Sequence, residues 1–174
     1  MGDDLYSKIV SNRGSVENLF AQMPGFRGYM ELSARRQADR MMRDHVAAQV
    51  RQQLNRLPTI EKTLLDEGGL AYMSQTRSAK TKFQTFIDRI ATDSPGYSGF
   101  FDAAKIGADD LDVIYAFDEA LLGYVDKFGE ALDGLLVAAA KNEGVDDAIR
   151  ALDALTIEAN QAYSLRENVL NGIE

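Results

Sequence analysis

The 174-residue chain predicts an all-α protein, an antiparallel bundle of four long helices plus a short N-terminal helix, and three observations carry that expectation. Apolar residues recur at three- and four-residue spacing, the period of a helix face, instead of the two-residue alternation of a half-buried strand. Turn chemistry is confined to a few places, Pro24-Gly25, Pro58, Ser94-Pro95-Gly96 and Asn142-Glu143-Gly144, leaving long uninterrupted segments between them. Hydrophobic residues make up 45% of the chain and charged residues 26%, a globular balance. A chain of this length buries roughly 70% of its unfolded surface, so one domain over residues 1–174 is expected to need no disulfide or metal.

The first segment carries Leu5, Ile9, Val16, Leu19, Phe20 and Met23, contains Gly14, and stops at Pro24-Gly25. The second runs from about Tyr29 to Arg56 with Leu32, Ala38, Met41, Met42, Val46, Val50 and Leu54 as an apolar seam and its arginines mostly off that seam. Pro58 pushes the preceding residue out of the helical region, so Leu57 is expected to mark a boundary or a kink, and proline suits the first turn of the third segment. From Pro58 to about Thr92 the apolar set is Ile60, Leu64, Leu65, Met73, Phe83, Phe86, Ile87 and Ile90, interrupted by Gly68-Gly69. Two helical glycines cost about 2 kcal/mol relative to alanines. One weakened helix is expected here, because it matches the other segments in length; a turn between two shorter helices is the alternative.

A turn-rich connection, 93–107, leads to a fourth helix from about Asp109 to Lys141, opened by acids that suit a helix N-terminus. Its stripe is Leu111, Ile114, Phe117, Leu121, Val125, Phe128, Leu132, Leu135 and Ala139. The fifth begins at Asp146 with Ile149, Leu152, Leu155, Ala159, Ala162, Leu165, Val169 and Ile173 as its stripe.

Composition narrows the chemistry. With no Cys and a single His, His45, thiol chemistry and most metal sites are excluded. A di-iron bundle centre needs two Glu-x-x-His pairs, and the residue three before His45 is Met42. Carboxylate pairs Asp118/Glu119 and Glu130/Asp133 flank the apolar stripe and read as solvated. No phosphate loop, EF-hand or nucleophile elbow has its full spacing. No enzyme activity and no cofactor is therefore expected. No segment has the 18 or more apolar residues of a membrane span, and the acidic N-terminus is unlike a secretory signal, so a cytoplasmic location is expected.

Charge is unevenly distributed. Residues 24–58 hold seven Arg against three acids, a net +4, while residues 102–174 hold sixteen acids against five bases, a net −11. Guanidinium groups suit phosphate recognition, which makes Arg35, Arg36, Arg40 and Arg43 candidate contacts for nucleic acid or an anionic membrane surface. Pairs such as Asp39 with Arg43 and Asp39 with Arg36 offer a structural explanation of the same residues. Tyr97, Phe100 and Phe101, on a glycine-flanked turn, are candidate contacts for a protein partner; the alternative is that they cap the bundle over Phe26 or Tyr29. The expected function is a non-catalytic interaction or scaffolding module with an unidentified protein partner or a homo-oligomer, and the second reading is an anion-binding module on the Arg-rich helix.

Overall fold

The computed structural model describes residues 2–12, 14–93 and 99–173, and among them it is all-α, with no strand. The α-helices are α1 (Gly2–Ser11), α2 (Val16–Gln22), α3 (Arg35–Leu54), α4 (Leu57–Gly68), α5 (Met73–Thr92), α6 (Ala108–Lys141) and α7 (Val145–Asn171). Single 3-10 turns occupy Leu32–Ala34, Gly69–Tyr72 and Gly99–Phe101.

Side-chain contacts along the helices define the layout of the bundle. The pairing of Asp118 with Arg166 makes α6 and α7 antiparallel neighbours across the short turn at 142–144. Arg40 reaches the Ala91 carbonyl and Arg43, one turn later, that of Ile90, so α3 and α5 are antiparallel as well. Lys82 meets Asp153 and Arg89 meets Asn160, which sets α5 parallel to α7. Helix α4 follows α3 through Asn55 and Arg56, both helical in backbone, and the pair runs beside α6: Arg56 binds Asp133 and the Gly129 carbonyl. The C-terminus of α5 and the N-terminus of α6 therefore lie at diagonally opposite corners of one end of the bundle. In the middle, Phe83 and Phe86 of α5 meet Phe128 of α6, with Phe83 and Phe128 centroids 4.3 Å apart.

Several boundaries differ from expectation, each for a local reason. The first segment is two helices. Gly14 lies so close to the backbone of Tyr115 and Ala116 that a β-carbon there would sit 2.2 Å from the Tyr115 carbonyl carbon, and Ser15 caps α2 afresh by accepting from the Asn18 N–H at 3.2 Å. Phe20 then faces solvent. The second helix starts at Arg35, six residues later than expected, and Tyr29 is buried in an irregular linker. The expected single helix over 58–92 is two, α4 and α5: Gly69 adopts φ 67°, a backbone region that glycine enters at little cost, and the chain turns there. Met42 is fully buried and Met73 packs against the core, but Met41 is 39% exposed. No described helix is long and apolar enough to cross a membrane.

Candidate functional site

Polar chemistry converges at the crossover end of the bundle, on residues that α3, α6 and α7 each place on their inward face. On α3 the buried stripe Val50, Val46, Met42 continues N-terminally as Asp39 and Arg35 at helical spacing. On α6 the inward position between Ile114 and Leu121 is Asp118, and on α7 the position between Tyr163 and Leu170 is Arg166. All four side chains, with Arg43, are at most 3% exposed.

Arg166 is the centre. Its Nε donates to Asp118 Oδ1 at 2.7 Å, and its Nη2 donates to Asp39 Oδ1 at 2.7 Å and to the Tyr29 hydroxyl at 3.3 Å. Tyr29 in turn donates its hydroxyl proton to Asp118 Oδ2. Asp39 Oδ2 accepts from Arg43 Nε at 3.0 Å. In this group two guanidiniums and two carboxylates balance one another, so each buried charge has a counter-charge.

Two arginines on the same face hold the ends of the crossover by their backbone. Arg43 Nη1 donates to the Ile90 carbonyl at 3.0 Å and to that of Asp93, satisfying orphan acceptors at the end of α5. Arg35, two turns earlier, donates to the carbonyls of Tyr29 at 2.8 Å and Phe100 at 3.1 Å, and to that of Ala103. The linker around Tyr29 is closed by its own N–H, which donates to the Tyr115 hydroxyl at 3.0 Å.

Electrostatics follow from the burial. Loss of water lifts the Asp118 carboxyl above the usual carboxylate range, and Arg166 with its hydrogen bond and that of Tyr29 reverses this only in part. Burial opposes the charge on Arg166 too, but Asp118 and Asp39 together outweigh it and hold the guanidinium well above its ordinary value. Burial and the Asp118 charge push the Tyr29 hydroxyl well up, so it remains a neutral donor. Nearer the surface, the Glu167 carboxyl is raised by burial and by Asp93, which shares a hydrogen bond with it, against Arg89 at 3.7 Å.

The residues that the sequence nominates fall into separate environments. Arg35 and Arg43 are buried among carbonyls and carboxylates, so neither presents its guanidinium to an external anion. Arg36 and Arg40 stay half exposed, Arg36 at 3.7 Å from Asp102 and over the Phe101 ring, Arg40 at 3.3 Å from Asp44 and donating to the Ala91 carbonyl. Phe100 and Phe101 are core residues, not exposed partner contacts; Phe100 packs edge-on against Tyr29 with centroids 5.1 Å apart. Tyr97 lies outside the described residues. Asp118, expected in solvent, is fully buried, whereas Glu130 and Asp133 are exposed and Glu119 is intermediate. The expected Asp39–Arg43 pair is present.

Neither Arg166 nor Tyr29 is among the residues expected to form a site. A signal for the first does exist: counting Leu152, Thr156, Ala159, Tyr163 forward at helical spacing lands on Arg166, whereas the expected stripe runs through Leu165 and Val169, which are only partly buried. Among the described residues no group of three or more His, Cys, Asp and Glu is placed to hold a metal ion. Comparisons with protein families, characterised proteins and solved structures return no match.

Proposed function

We propose that this chain is a non-catalytic interaction or scaffolding module that works through its helical surface. The observation that supports this most directly is the sealing of the ion network. Arg166, Asp118 and Asp39 are within 2% of complete side-chain burial, and their hydrogen-bonding atoms face one another, so a substrate has no approach to them. Catalytic groups need that approach, since proton transfer requires hydrogen-bond reach of the reacting atom. Large apolar side chains are instead left in water on the linker and α2, notably Met30 at 77% and Phe20 at 54%, with Leu32, two residues after Met30, also exposed. The anion-binding alternative retains only Arg36 and Arg40 of its four arginines, each beside an acid.

The test is affinity capture with the full-length chain, comparing wild type with Met30→Glu/Leu32→Glu. The expected result is one stoichiometric protein partner, lost with the double variant, and flow-through on heparin at low salt. Heparin retention that weakens steeply with salt, combined with an undiminished set of captured proteins, overturns the reading in favour of an anion surface.

A further inference from the structure

Helix α1 lies in the groove between α6 and α7. Leu5 and Ile9, one turn apart, are its buried side chains among those described, with Val10 partly buried. The α6 side of the groove is built from small residues, Ala116, Ala120 and Gly123, which lets a helix approach closely, and Ala154 of α7 lies exposed at its other edge. Yet α1 does not fill it. A cleft of about 200 Å3 remains on its α6 side and another of about 340 Å3 on its α7 side, the latter beside the exposed Ile157. Both clefts open to solvent along the flanks of α1, leaving room there for a bulkier helix. A β-carbon built at Gly123 meets no atom within 4 Å, so the groove accepts more side-chain volume than α1 supplies. Charge matches as well, since Lys8 of α1 lines a cleft whose walls carry Glu119 and Glu158 against the single base Lys127.

At ten residues α1 is shorter than the roughly 12 to 15 residues a helix needs for stability on its own, so leaving the groove amounts to melting. Its departure need not disturb the next helix. Gly14 is wedged against the α6 backbone and α2 carries its own cap at Ser15.

We propose that the α6/α7 groove is a docking site for an amphipathic helix of a partner protein, with aliphatic side chains one turn apart and a basic residue beside them, and that α1 is a built-in occupant which the partner displaces. The proposal rests on the interaction-module reading and names a surface for it. A longer helix with bulkier side chains outcompetes α1 by filling both clefts, and loss of α1 from the groove is then the signal that binding has occurred.

The probe is a labelled synthetic peptide of residues 2–12, titrated by NMR into the full-length chain up to millimolar concentration. Leu5→Glu/Ile9→Glu empties the groove without touching its walls and is expected to bind the peptide at least tenfold more tightly than wild type; adding Gly123→Trp, which fills the floor, abolishes that binding. A variant that retains its helical content and cooperative melting but binds no better than wild type overturns the proposal. Should that variant not fold, amide exchange on the wild-type chain decides. The α1 amides are expected to exchange at least a hundredfold faster than those of α6 and α7 beneath them, and exchange at the rate of the core overturns the proposal. Either negative result leaves the wider reading standing, because capture through Met30 and Leu32 probes a different surface.

Discussion

The two ends of the bundle solve the same packing problem with different materials. At the crossover end the inward positions of α3, α6 and α7 are Asp39, Asp118 and Arg166, locked to Arg43 and Tyr29. At the opposite end the inward positions are Leu54 of α3, Leu57 and Leu64 of α4, Leu132 and Leu135 of α6 and Leu152 of α7, and the buried hydroxyls of Thr76 and Thr156 donate to carbonyls three residues back in their own helices. The apolar end needs only volume and period, and tolerates exchange of one aliphatic residue for another. The polar end needs each donor aimed at one acceptor, and so ties a particular linker and a particular crossover to three helices. The difference teaches where this bundle is specified: the greasy half makes it stable, while the ionic half decides how the chain closes over its end. Buried ion pairs are weak evidence for added stability but strongly constrain which partners can meet.

Removing one member of the network breaks this comparison most severely. Arg166→Met leaves Asp118 and Asp39 buried with fewer counter-charges and is expected to cost about 3 to 5 kcal/mol in urea unfolding, enough to compromise folding. A cost under about 1 kcal/mol would mean the two ends are equivalent after all.

A matched pair of near-isosteric changes sharpens the contrast. Tyr29→Phe deletes one oxygen and strands one lone-pair direction of Asp118, with an expected loss of about 1 to 3 kcal/mol. Leu132→Met, in the apolar half and equally buried, is expected to lose less than about 1.5 kcal/mol. Equal losses from the two, measured by the same denaturant titration, would contradict the assignment of specificity to the polar end.

The smallest effect is a pH dependence at Glu167, on the rim of that end. Its folded-state pKa lies above the unfolded value because of burial and the facing Asp93. Between those two values the folded chain holds a proton that the unfolded chain does not, so this group makes stability rise as pH falls through that window. Glu167 is more than a third exposed, so the contribution is heavily screened. Glu167→Gln is expected to remove this slope from the Tm-against-pH curve, the variant melting near wild type below the window and slightly above wild type at pH 7, and an unaltered curve would show that Glu167 has no part in it.

Helix type was legible throughout because it depends on local period, and α6 and α7 lie close to their expected limits for that reason. The break at Gly68-Gly69 was visible as a weak point, but whether the chain turned there depended on α4 pairing with α6 while α5 paired with α3 and α7. The candidate site was less legible. Arg35, Asp39, Asp118 and Arg166 sit on helical faces that also carry charge elsewhere in the chain, and a charged residue at a stripe position is normally read as the edge of that stripe. Only a complementary charge at the same depth on another helix changes the reading, as Arg166 and Asp118 show across 48 positions of sequence.

By itself the order of residues determined the all-helical class, the apolar seams, the absence of thiols and the turns at 142–144 and 24–25, since each depends on composition or on neighbours a few positions apart. Tertiary structure alone decided which charges are interior, which aromatic residues are covered and how the crossover is fastened. Those outcomes require groups distant along the chain to lose water together, and the energy of a buried charge is set by the partner it meets there.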